Sequence, residues 1–226
     1  MRVGGVVALV ALIGATWTFR NPWFRGNRGV VAPGLVYRSA QPAGGWAERV
    51  RADHLATVLN LRGGTDADPF YRAEVEATRE LGVAFYDLPM AATVRPTRTQ
   101  LLTVLDLLDR CEYPLLIHCK SGSDRTGLVS ALYLMSRAGQ PPEAAEAAFS
   151  IYYGHVPLRG TRHLHEPLHE YAAYLLDRHL PHTAERFRAW VERDYRDADP
   201  PGPVAPLAAG PRDRRLVRAS GHRAGG

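Results

Sequence analysis

Lysine is almost missing from this chain: Lys120 stands alone against 27 arginines in 226 residues. Cysteine is scarce too. Cys111 and Cys119 are too few for a disulfide framework, and no Cys/Cys or Cys/His pair has the spacing of a zinc site. A basic stripe interleaved with aromatics is also lacking. The net charge is +5, yet residues 198–226 hold Arg212, Arg214, Arg215, Arg218 and Arg223 against Asp199 and Asp213. Most of the excess charge therefore sits in the tail, the body is close to neutral, and nucleic acid is excluded as a partner.

Long uncharged runs are missing, with one exception. Residues 3–19 (VGGVVALVALIGATWTF) carry no charge, lie between Arg2 and Arg20, and bring Trp17, Phe19, Trp23 and Phe24 to what suits a membrane interface. Residues 1–24 are expected to form an N-terminal hydrophobic helix that anchors the chain in a membrane. The alternative is a signal segment whose cleavage releases a secreted or periplasmic protein, but its leading region would hold only Arg2 and no clean A-x-A site follows. Arg20, Arg25 and Arg28 outnumber the positive charge on the other flank, which leans toward a cytoplasmic body.

What remains has a globular composition, 46% hydrophobic and 23% charged, and a length that fits one domain. Residues 28–197 read as that domain. Strands are expected at 35–39, 56–61, 83–89 and 114–119, with helices between them at 46–55, 69–81, 97–111 and 126–137. Asp68 and Pro69 supply an N-cap and first-turn proline, and Gly82 a stop. Further helices are expected after Pro142, Pro167 and Thr183. Strands alternating with helices predict an α/β fold, a parallel-type sheet of four to five strands flanked by helices. The prolines and glycines of residues 198–226 predict a disordered tail. His163, His165 and His169 cluster, but as the polar start of an exposed helix; no metal and no cofactor are expected.

The chemistry concentrates in LLIHCKSGSDRTGL (115–128). A buried strand ends at Cys119, Gly122 interrupts the loop, and a strong helix starts near Arg125 and Thr126. Successive backbone N–H groups and a helix N-terminus then point at one spot, which favours an anion, whether a phosphate or the thiolate of Cys119. Arg125 presents a planar fork to two phosphoryl oxygens. Thr126 is placed to hydrogen-bond the sulfur, and His118 to orient the loop. These are the parts of nucleophilic phosphoryl transfer. Cys111, at a helix end, reads as a buried filler rather than a disulfide partner for Cys119.

HCKSGSDRTG (118–127) resembles the signature HCxxGxxRTG of the cysteine-dependent protein tyrosine and dual-specificity phosphatases. YRSAQP (37–42), LNLRG (59–63) and YDLPM (86–90) resemble a bacterial atypical dual-specificity branch of that superfamily, over about residues 30–180. The resemblance implies metal-free hydrolysis of phosphoric monoesters through a phosphocysteine, with Cys119 as nucleophile and Arg125 as clamp. His118, Lys120, Ser121, Gly122, Ser123, Thr126 and Gly127 complete the substrate-binding loop. The general acid stays open between two carboxylates. Asp87 lies 32 residues before Cys119, the usual place for the family's acid, but within an apolar strand; Asp124 lies in the loop itself, where myotubularin-type lipid phosphatases carry theirs. Lys120 suits a second phosphate, and Arg38, Arg62 and Arg159 are candidates for the pocket mouth. The substrate is then a phosphorylated protein side chain or a phosphoinositide. A phosphate-binding module without turnover is the rival reading.

Overall fold

The computed structural model describes residues 6–9, 12, 14, 16, 20–195, 208 and 209. In chain order it contains α1 (Arg20–Phe24), β1 (Gly29–Ala32), β2 (Val36–Ala40), α2 (Trp46–Ala52), β3 (Thr57–Asn60), α3 (Pro69–Leu81), β4 (Ala84–Asp87), α4 (Arg98–Arg110), β5 (Leu115–Cys119), α5 (Asp124–Ser136), α6 (Pro142–Ala145), α7 (Glu166–Asp177) and α8 (Ala184–Arg193). The strand order is β1-β2-β5-β3-β4, and Ala208–Ala209 adds a two-residue antiparallel pairing outside β4. β2, β5, β3 and β4 run parallel, as expected of strands joined through helices.

The sheet is mixed rather than purely parallel, because β1 pairs antiparallel with β2. The sequence predicts its first strand at 35–39 and none before it. Gly34, at φ +72°, lets the chain reverse within three residues, and strands joined so tightly pair antiparallel.

Strand alternation divides the core in two. Leu59, Leu115, Ile117 and Cys119 face α4, α5, α7 and α8, which supply Leu101, Leu105, Leu128, Leu132, Tyr171 and Trp190 to the larger cluster. Val58, Phe85 and Leu116 face the other way, toward Trp46 and Val50 of α2. α4 begins as its sequence predicts: the Thr97 side chain accepts from the Gln100 amide and Gln100 bonds back to Thr97. Asp68 does occupy the N-cap of α3, but its carboxylate accepts from the Thr65 amide and hydroxyl instead of from the helix.

The helix expected from Pro142 stops at Ala145 and gives way to 3₁₀ turns at Glu146–Ala148 and Ile151–Tyr153. Phe149 leaves helical geometry (φ −89°, ψ 91°), and its ring packs 4.1 Å from His165 and 4.9 Å from His155. The expected tail lies outside the described residues except for Ala208 and Ala209. Half of the expected anchor, residues 1–24, also lies outside them. Its described residues are helical, with Val6, Val7, Leu9 and Leu12 exposed, and among the described residues no helix is long and apolar enough to cross a membrane.

Candidate active site

Cys119 ends the fully buried strand β5 and is itself 1% exposed. The next residues curl over it. The Gly122 amide points back at the sulfur, 3.2 Å away, from a backbone at φ +73°. What makes the amides turn inward is that the loop carbonyls are held outward. Asn27 donates to Ser121 O at 2.8 Å, while Arg38 donates to Gly122 O at 2.9 Å and Ser123 O at 3.3 Å. Both side chains are buried, at 0% and 2% exposure. Arg38 also bonds Ala148 O at 2.7 Å and lies over the Tyr153 ring. It therefore braces the loop from beneath instead of standing at the pocket mouth. Burial lowers its pKa to about 10, against the opposing pull of Tyr153 and Cys119.

Gly122 has no room for a side chain. A Cβ there would lie 2.5 Å from both Ala40 N and Ser39 C, and the positive φ would be strained in addition. Gly122→Ala is expected to destabilise the fold by about 1–3 kcal/mol. Urea unfolding reads this directly, and a midpoint matching the parent's would contradict the close approach of the loop to β2.

Arg125, half-buried in the first turn of α5, is fixed by Leu61 O at 3.1 Å and Met90 O at 3.0 Å, both bonded by Nη1. Its Nε is buried with no protein partner. Carbonyls at the ends of β3 and β4 thus hold one prong and leave the rest of the fork to a ligand. Lys120 and Ser121 are exposed on the loop's outer side. Ser123 is buried, its hydroxyl donating to Tyr153 O at 2.7 Å. Thr126 is fully buried and its Oγ1 makes no hydrogen bond, to sulfur or otherwise. Gly127 has a packing reason: a Cβ there would meet the Phe149 ring at 2.9 Å. Arg62 stacks on Phe70.

The two acid candidates part company. β3 pairs Asn60 with Asp87 on one side and with His118 on the other, so those three side chains share a sheet face, while Cys119, one residue on, faces away. On that other face Asp87 accepts from the Tyr71 hydroxyl at 3.2 Å. Burial pushes its carboxyl up, Tyr71 opposes this, Glu74 adds to it and His118 opposes it. His118 is fully buried against Trp46, its Nε2 2.5 Å from Glu74 Oε1 without the alignment of a hydrogen bond. Gln41 donates to the second Glu74 oxygen at 2.9 Å. The segment after β4 carries no carboxylate and is tied down by Arg95, which pairs with Glu170.

Asp124, by contrast, opens α5 directly after the loop, and its carboxylate meets His155 Nδ1 at 2.7 Å. An array continues from there: His155 Nε2 to His165 Nε2 at 2.8 Å, His165 Nδ1 to Glu146 Oε1 at 2.6 Å, and His169 Nε2 to the same oxygen at 2.7 Å. Burial holds His165 below the usual histidine range despite Glu146; burial pushes Glu146 up, but the bonds from His165 and His169 outweigh it. The donor atoms of Glu146, His165 and His169 lie within 4.8 Å of one another, each engaged within this array. His165 is thus buried, not part of an exposed helix start. The sequence reading missed Asn27, the bracing role of Arg38, and His155. Cys111 and Cys119 are both free, and burial pushes the Cys111 thiol up to about 11.

Residues 30–171 match the family described as PTP-SAK, the Swiss Army Knife protein DSP-PTPase phosphatase domain. The chain belongs to this family and is a cysteine-dependent phosphatase of the dual-specificity type. Solved structures share its fold. TpbA of P. aeruginosa superposes with a TM-score of 0.52 at 23% identity, covering 74% of this chain and 91% of its own. The catalytic core of the PP-IP phosphatase SIW14 from S. cerevisiae does so with a TM-score of 0.53 at 18% identity, covering 70% and 96%.

Proposed function

We propose that Cys119 is the nucleophile, that Arg125 and the loop amides hold the phosphoryl oxygens, and that Asp124 is the general acid. The Cys119 sulfur attacks phosphorus, the bond to the leaving oxygen breaks, and Asp124 gives that oxygen its proton. Water then gives a proton back to Asp124 as its oxygen attacks phosphorus, and the S–P bond breaks to release inorganic phosphate and the thiolate. The observation that carries this reading is the Gly122 N–H aimed at Sγ within a loop whose carbonyls are turned away. Asp124 is preferred over Asp87 because it lies five residues after Cys119 at the start of α5, whereas strand alternation sends Asp87 to the opposite face. His155 is the positioning residue for Asp124. Acid quenching of a single turnover with labelled substrate should leave label on the peptide containing Cys119; label elsewhere, or none during active turnover, would refute the intermediate.

TpbA has been crystallised with phosphotyrosine, and SIW14 is a PP-IP phosphatase. These support a phosphorylated protein side chain or an inositol-type headgroup as substrate. The uncharged run at residues 3–19 supports a membrane-anchored chain, with a cytoplasmic body favoured by the arginines after it and release after cleavage the competing reading. Protease accessibility of the body in intact and permeabilised cells separates the two.

A further inference from the structure

A cavity of about 660 Å³ opens beside the nucleophile loop, lined by Arg25, Arg28, Arg49, Gln41, Phe24 and Tyr152 among others. It lies at the same end of the sheet as Cys119. Gly26, in its wall, accepts from the amide of Ala40, the register partner of Cys119, and the Gln41 amide donates to Lys120 O at 3.3 Å. Lys120, whose carbonyl takes this bond, directly follows Cys119 in the chain.

Among the described residues the lining holds three arginines and no carboxylate. Glu48 and Asp53, on α2 and at its C-cap, do not line it. Arg25 and Arg28 are exposed, but Arg49 is only 6% exposed and its Nε has no hydrogen-bond partner. A buried guanidinium nitrogen without a partner is costly unless something negative meets it. Burial lowers the Arg49 pKa to about 10, and Arg28 repels it further against a weaker pull from Asp53. A stability cost maintained at the edge of a catalytic loop is the mark of a binding site.

We propose that Arg25, Arg28 and Arg49 form a second anion site that receives an additional phosphate of the substrate, so that the substrate class is a compact polyol carrying two or more phosphates. This rests on the reading of the Cys119 loop as the catalytic site. The same headgroup chemistry occurs free in solution and on a lipid, and Phe24, 71% exposed at the rim, adjoins the uncharged N-terminal run.

The test uses the full chain in detergent as Cys119→Ser, which keeps the loop without turnover. Inositol trisphosphate serves as the soluble probe, and phosphatidylcholine vesicles doped with phosphatidylinositol bisphosphate as the lipid probe. Arg28→Gln and Arg49→Gln are each expected to weaken binding about tenfold, in line with loss of one charged hydrogen-bond donor. Arg51→Gln removes the same charge from an exposed position outside the lining and should change binding less than about twofold, which sets non-specific attraction apart. Should Arg49→Gln fail to fold, the exposed Arg28 carries the test. Weakening of both probes supports the site, and a clear preference for one names the source of the headgroup. Equal affinity in Arg28→Gln and parent, for both probes, overturns the proposal. Failure of the catalytic reading looks different: the native chain would release no phosphate from an aryl phosphate while the arginine variants still lost affinity.

Discussion

Cys119→Ser is expected to lower phosphate release from an aryl phosphate by at least about 10⁴-fold, with EDTA present throughout and the fold intact. Serine fits the space: Cys119 is enclosed, and the Gly122 amide that now meets sulfur can donate to an oxygen instead. What changes is the chemistry. A serine hydroxyl is ionised far less than a thiol under the same field, and an oxygen ester of phosphate is harder to cleave in the second half of the reaction. Cys111→Ser provides the control, since that thiol is buried at the end of α4 with its pKa pushed up to about 11 and has no part in the loop. Residual activity of Cys119→Ser within about tenfold of the parent would sink the covalent mechanism and return a direct attack by water to consideration.

The loop itself was legible from sequence because its signals are local. An apolar strand, a cysteine, a glycine at the point of closest approach and a helix start occur within about fourteen residues, and each keeps its place in the fold. The parallel strands and α4 were equally plain, since apolar runs and apolar residues at helical spacing act over short distances. What could not be read are contributions that cross the chain. Asn27 reaches Ser121 over 94 positions, and Arg38 reaches Gly122 over 84. An arginine inside a strand pattern reads as an edge or surface residue until the carbonyls that solvate it are seen. His155 and His165 meet because the chain breaks helix at Phe149, against the local preference of an alanine-rich stretch. Asp87 shows the opposite case. Its distance from Cys119 in sequence suggested the acid, whereas its parity in the strand, the same as that of Phe85, already pointed it to the face lined by α2 and α3.

Asp124→Asn should therefore cost about 10²–10⁴-fold in kcat for substrates with poor leaving groups, and Asp87→Asn far less. The pH profile makes the assignment. A general acid must enter the first step protonated, so the parent's rate falls on the alkaline side as the acid is deprotonated. The asparagine variant, having no proton to lose there, should lack that alkaline fall. An activated aryl ester, whose leaving oxygen needs little protonation, should be the least affected substrate. His155→Asn should lower kcat without abolishing turnover, because it removes the partner at 2.7 Å but not the carboxylic acid itself. Asp87→Asn has a different signature, in stability. Burial raises the Asp87 carboxyl in the folded state, so the folded protein binds this proton more tightly than the unfolded chain does. The resulting stabilisation is complete below the unfolded-state pKa of about 3.9 and is lost as pH rises through the raised folded value. The amide stays neutral and can still accept from Tyr71, so Asp87→Asn should remove this decline, and urea midpoints from pH 4 to pH 7 should converge at the acid end. If Asp87→Asn instead lost the alkaline limb while Asp124→Asn kept it, the proton would have to travel from the far face of the sheet, and the acid assigned here would be the wrong one.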